Sequence, residues 1–165
     1  MTLRHILSIL MLPVVVVIVV PALLLRGLAA YDTRWGGGQP QGLPLPGILF
    51  FAAGFALFAW CVGLFVRVGQ GTLAPWDPTQ KLVAAGPYRH IRNPMISGVL
   101  MMLIGQALYF GSPRVGLWAG IFFLINHAYF ILSEEPGLEK RFGESYRVYK
   151  ANVPRWVPRV KPWEQ

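Results

Sequence analysis

Two adjacent acids, a histidine inside an apolar run and a pair of arginines before another such run are the residues whose types and spacing could do chemistry. Glu134 and Glu135 follow directly on an apolar stretch, with Glu139 one turn further on. An acid pair there can accept hydrogen bonds from hydroxyls or balance a cation. The plainer alternative is a helix start, where the dipole favours acids. Ser133 has the chemistry of an N-cap and Pro136 fits a first helical turn, so one helix is expected to end near Leu132 and another to begin at Ser133. His127 lies seven residues before Glu134. On a continuous helix the two would share a face, about 10 Å apart along the axis. Ionisable groups at membrane depth are rare and commonly functional. His127 could orient an acceptor or take a proton from it; the alternative is a neutral ring bonded to a neighbouring helix.

The segment 86–94 reads Gly-Pro-Tyr-Arg-His-Ile-Arg-Asn-Pro. Gly86-Pro87 marks a turn. Asn93 and Pro94 read as N-cap and first residue of a helix. A helix N-terminus with Arg89 and Arg92 beside it attracts carboxylates; the same arginines could bind lipid phosphates. His5, His90 and His127 have no metal-ligand spacing, and the one cysteine, Cys61, excludes a thiolate cluster or a disulfide framework. No phosphate-binding G-x-x-x-x-G-K-[ST] and no G-x-S-x-G is present, and Gly69-Gln70-Gly71 stands alone.

The elements that must position these groups are apolar. Of 165 residues, 55% are hydrophobic and 13% charged, and mean hydropathy is +0.49. Soluble domains carry about 25% charged residues. The chain is therefore expected to be an all-α integral membrane protein. Four stretches approach the roughly 20 apolar residues of a spanning helix: 6–25, 45–66, 95–110 and 115–132. The first is long for a signal peptide and is expected to be a retained helix, kinked by Pro13 and Pro21. Gly111-Ser112-Pro113 predicts a tight turn that makes the last two stretches a helical hairpin. Leu138, Phe142, Tyr146 and Tyr149 recur at helical spacing and predict an amphipathic C-terminal helix. Residues 1–66 form an N-terminal helix pair in this division, and 67–165 hold the chemistry.

The net charge of +8 would suggest nucleic acid in a soluble protein; in a membrane protein it marks cytoplasmic segments and headgroup contacts. Arg26, Arg34 and Arg114 fall on one side of the predicted spans and the other Lys and Arg residues on the opposite side. Both termini, the 67–94 connector and the 133–165 tail are thereby expected in the cytoplasm, with the protein in a bacterial inner membrane. Nucleic acid is not an expected partner; membrane lipids and a lipophilic acceptor are. A transporter is disfavoured by four spans without inverted repeats.

Taken in order, the 86–95 segment, Glu134-Glu135, Leu138, Phe142-Gly143-Glu144-x-Tyr146-x-x-Tyr149 and Val153-Pro-Arg-Trp-Val-Pro resemble the isoprenylcysteine carboxyl methyltransferase family, a branch of the integral membrane methyltransferases that also include phospholipid N-methyltransferases. The resemblance implies S-adenosylmethionine as methyl donor and S-adenosylhomocysteine as product. It implies a cofactor site at the cytoplasmic helix ends, with Gln80, Lys81, Leu82 and Val83 from the connector, Tyr88, and the stretch Arg92, Asn93, Pro94, Met95 and Ile96. Arg89 or Arg92 would hold the cofactor carboxylate, and Glu134 and Glu135 its hydroxyls or cationic end. His127 and Glu135 are the expected catalytic residues, with no metal. Asn93 and Ile96 stand where the isoprenylcysteine enzymes usually carry histidine and tyrosine. The family's arginine in the last helix is absent here, and His127 is the nearest substitute. The implied reaction is O-methylation of a lipophilic carboxylate. Phospholipid or small-amine N-methylation is the alternative, and a non-catalytic membrane scaffold of the same fold the second alternative.

Overall fold

A computed structural model of the chain describes residues 13–27, 42–69 and 82–164. Gln80, Lys81 and the start of the first apolar stretch lie outside the described residues. Helix is the only regular structure among those described. Helix α1 opens as a π-helical stretch, Val15–Val19, and continues as Val20–Gly27. Helix α2 is Pro44–Leu64, prolonged by a π-helical stretch, Phe65–Gly69. A 3-10 turn at Gly86–Arg89 precedes α3, Pro94–Phe110. Helix α4, Pro113–Tyr129, runs through a π-helical stretch, Phe130–Glu134, into α5, Glu135–Phe142. Helix α6 is Glu144–Asn152.

Among the described residues, two helices are long and apolar enough to cross a membrane, Pro44–Leu64 and Pro113–Phe142. In each, only 22% of the apolar window is buried within the protein, so most of that surface needs an apolar solvent. The expected four spans are thus two by this measure. Val15–Arg26 and Pro94–Phe110 are apolar but shorter. At 1.5 Å per residue α3 reaches about 25 Å, less than the roughly 30 Å hydrocarbon core.

The chain forms two compact units, one from Met1–Ala56 and Gly98–Leu124, the other from Leu57–Ser97 and Ile125–Gln165. In the first unit, α2 and α3 approach backbone to backbone at glycines. A Cβ on Gly105 would come within 2.6 Å of Phe51 N, and one on Gly54 within 2.6 Å of Gly98 O. Small residues permit this approach, which apolar solvent cannot drive by itself. The α3–α4 turn closes as expected: Gly111 takes φ +60°, with Gly111 N bonded to Leu108 O and Ser112 N to Ala107 O. These are the two bonds of a Schellman stop, which needs a left-handed residue.

Prolines inside helices are accommodated by π turns. Val15–Val19 ends two residues before Pro21, and Phe130–Glu134 two residues before Pro136. Val20 N bonds Val15 O, and Glu135 N bonds Phe130 O. The wider turn gives the proline ring room, so neither helix breaks. This overturns the expected helix start at Ser133: the helix is continuous from Pro113 to Phe142, and the stop lies at Gly143, with φ +55°. Each proline still leaves a carbonyl of its preceding turn without a backbone donor. At Pro21 side chains supply it: Gln106 Nε2 donates to Val17 O at 2.8 Å and Trp118 Nε1 to Val16 O at 3.1 Å. In a membrane such carbonyls must be satisfied internally. Gln106→Leu is accordingly expected to lower stability by about 1–3 kcal/mol, read as a drop in melting temperature in detergent. An unchanged melting temperature would contradict this role.

Candidate active site

In the second unit a charged network centres on Glu135 and, of the expected site residues, takes in Arg92 directly. The π stretch adds a residue to the turn before it, which rotates the following residues by about 100°. Glu135, rather than Glu134, then falls in register with His127. Two neighbouring residues beyond α6 reach this pair. Arg155 donates from Nε to Glu135 Oε1 at 2.6 Å and from Nη2 to Oε2 at 3.0 Å. Trp156 Nε1 donates to His127 Nδ1 at 2.9 Å, and Phe130 packs edge-on against the Trp156 ring.

Glu135 is 5% exposed. Its carboxylate also accepts from Arg92 Nη1 at 2.8 Å and pairs with Lys150 Nζ at 3.4 Å. A buried charge requires such partners. The expectation that Glu135 meets a cofactor directly thus encounters a carboxylate already bonded at both oxygens. Glu134 makes no ion pair among the described residues.

The segment after α6 lies along residues 89–92 as a strap. Arg92 N donates to Pro154 O, Arg159 N to His90 O and Trp163 N to Arg89 O, at 2.9, 3.0 and 2.9 Å. Arg89 Nε donates to Trp163 O at 2.6 Å, and its guanidinium pairs with Glu164. Arg89 is therefore committed to the strap. His90 Nδ1 bonds Arg159 O at 2.8 Å.

Beneath the strap, Tyr146, Tyr149 and Val153 form a buried cluster with Leu82, Leu138, Phe142 and Trp163 packed on it. This is the predicted amphipathic face, divided between α5 and α6. Tyr149 donates its hydroxyl to Tyr88 O at 2.7 Å; burial holds that hydroxyl above the usual range, so it stays a donor. Val83 and Tyr88 belong to a second cluster with Cys61, against which Met95 packs. Pro94 is fully buried as the first residue of α3, and Ile96 is half-buried.

Asn93 occupies the place before α3, as the sequence predicts, and its carbonyl accepts from Ser97 N and Ser97 Oγ. Its side chain has a different standing. Asn93 is 7% exposed, and Nδ2 has no hydrogen-bond partner among the described residues. Arg92 Nε is likewise buried without a partner. Two adjacent donors left this way are costly unless something accepts from them. Sequence reasoning missed Arg155, Trp156 and Lys150 as part of the site. The signal was Pro154-Arg-Trp within the resemblance motif, an arginine and an indole donor that an acid and a histidine could receive.

Removing one partner of a buried ion pair strands the others. Glu135→Gln is expected to lower stability by about 3–5 kcal/mol, whereas Glu134→Gln should melt close to the wild type. Equal melting temperatures for the two variants would contradict this division of roles.

A protein-family model described as phospholipid methyltransferase matches residues 45–145. An uncharacterized protein of Haemophilus influenzae is 36% identical over 63 residues, which are 38% of this chain and 100% of that protein. The family match takes in α2, the 86–96 segment, α3, α4 and the acid pair, more than half of the chain, so this chain belongs to the phospholipid methyltransferase family.

Proposed function

We propose that the protein transfers a methyl group from S-adenosylmethionine to a lipophilic acceptor at the cytoplasmic face of the membrane. The observation that carries this reading is the pair of buried unpartnered donors, Asn93 Nδ2 and Arg92 Nε, at the start of α3. A carboxylate such as that of S-adenosylmethionine fits them, because it accepts from both and carries the charge that a helix start favours. Glu134 is left for the hydroxyls or the cationic end of the same molecule, and Leu82 and Val83 for its apolar edge. When bound, the cofactor supplies an electrophilic methyl on a sulfonium. The chain's own contribution is alignment and exclusion of water.

The acceptor we infer is a carboxylate. Trp156 N–H donates to His127 Nδ1, so the proton of the neutral ring sits on Nε2. Held in that tautomer, His127 acts as a hydrogen-bond donor and not as a base. A carboxylate nucleophile benefits from a donor and needs no base, whereas a protonated amine would need one. The second reading, N-methylation of a phospholipid amine, is favoured by the family's own description.

The two readings separate by the chemistry of the product. Membranes containing the protein are incubated with methyl-labelled S-adenosylmethionine, and the lipid extract is treated with base. O-methylation predicts label released as volatile methanol; N-methylation predicts label that stays non-volatile, bound to the headgroup amine. His127→Gln is expected to slow O-methylation roughly 10- to 100-fold, as for loss of one hydrogen bond to a charged group. No transfer, together with no binding of S-adenosylhomocysteine, would favour the scaffold reading.

A further inference from the structure

The outer side of the Glu135 network opens into a cleft of about 500 Å³ that methyl transfer does not use. Its charged lining is Glu135, Glu139, Lys140, Arg147, Lys150 and Arg155, four cations against two carboxylates. Arg147 Nε pairs with Glu139 at 2.8 Å, and Lys150 Nζ lies 3.8 Å from Glu139 and 3.4 Å from Glu135. Glu144 reaches Arg147 at 3.5 Å, and Arg92 stands on the other side of Glu135. Lys140 makes no ion pair among the described residues. Arg147 and its partner Glu139 are 61% and 34% exposed at their side chains, and a pair this exposed is weak enough to be redirected to a ligand.

The surplus is positive, so the ligand is an anion. S-adenosylmethionine, with a sulfonium and an ammonium against one carboxylate, has the wrong net charge. The cleft also has an apolar edge. Ile131 is part of its lining and 42% exposed, and Leu132 beside it is 78% exposed. Ile125, nearly two turns earlier, is 59% exposed. The exposed apolar residues of α4 and of the π-helical stretch after it therefore end where the basic lining begins, at the level of lipid headgroups. We propose that this cleft binds the phosphodiester headgroup of an anionic phospholipid, with an acyl chain along Ile125, Ile131 and Leu132. The site is separate from the one assigned to the cofactor, and the proposal stands whichever acceptor is methylated.

The test uses the full chain, purified in detergent with phosphatidylcholine and challenged with phosphatidylglycerol, with bound lipid read by native mass spectrometry. The wild type is expected to retain phosphatidylglycerol over phosphatidylcholine. Lys140→Glu should cut that preference roughly tenfold. Lys161→Glu, the same charge change on an exposed residue outside the cleft, should leave it intact. Lys140→Gln, with its melting temperature as a check on folding, should give a smaller loss in the same direction. Equal retention in the Lys140 and Lys161 variants would overturn the site. Inorganic phosphate competing as well as phosphatidylglycerol would overturn the lipid assignment, and displacement of the lipid by S-adenosylhomocysteine would show that the cleft belongs to the cofactor.

Discussion

The carboxylate of Glu135 is a buried charge that exists only because Arg92, Arg155 and Lys150 surround it. Those partners come from three places: the segment 89–92 that precedes α3, the strap, and α6. A pair of this kind is poor evidence for extra stability, since an apolar substitute of equal shape can do as well. Its weight lies in register. Only one placement of the strap lets Arg155 grip both oxygens while the next residue, Trp156, meets His127. The backbone bonds from residues 89–92 to the strap then follow the same alignment.

The register depends in turn on how the chain treats a proline. Pro136 one residue past Glu135 should have ended the helix. The π turn before it keeps the helix whole and rotates Glu135 into line with His127. A related solution at Pro21 is completed by Gln106 and Trp118, which reach carbonyls of the turn. In both places a local backbone irregularity, which a soluble protein could leave to water, is resolved within helices facing an apolar solvent.

Much of this was legible in the residues. The apolar stretches fixed the helices to within a residue or two at Pro44, Pro94 and Phe110. Asn93-Pro94 marked the start of α3, and Gly111 its stop. The stripe of Leu138, Phe142, Tyr146 and Tyr149 does form a buried cluster. The helix break at Ser133 was wrong, because a π turn leaves no compositional mark and proline chemistry alone argues for a cap. Glu134 and Glu135 could not be told apart for a related reason: their roles depend on a rotation that periodicity of 3.6 does not include. Long-range partners such as Arg155, 20 residues from Glu135, become visible only once the strap is placed.

The division that results is between a carboxylate that is bonded on every side and two buried donors, Asn93 Nδ2 and Arg92 Nε, without a partner among the described residues. Asn93 is the sharpest instance, with a buried amide whose hydrogens meet nothing among the described residues. The most direct measurement is calorimetric titration of S-adenosylhomocysteine into the wild type and Asn93→Ala, with melting temperatures taken in parallel. The account predicts that Asn93→Ala stays folded and loses most of its affinity. Wild-type affinity in a folded Asn93→Ala protein would contradict it.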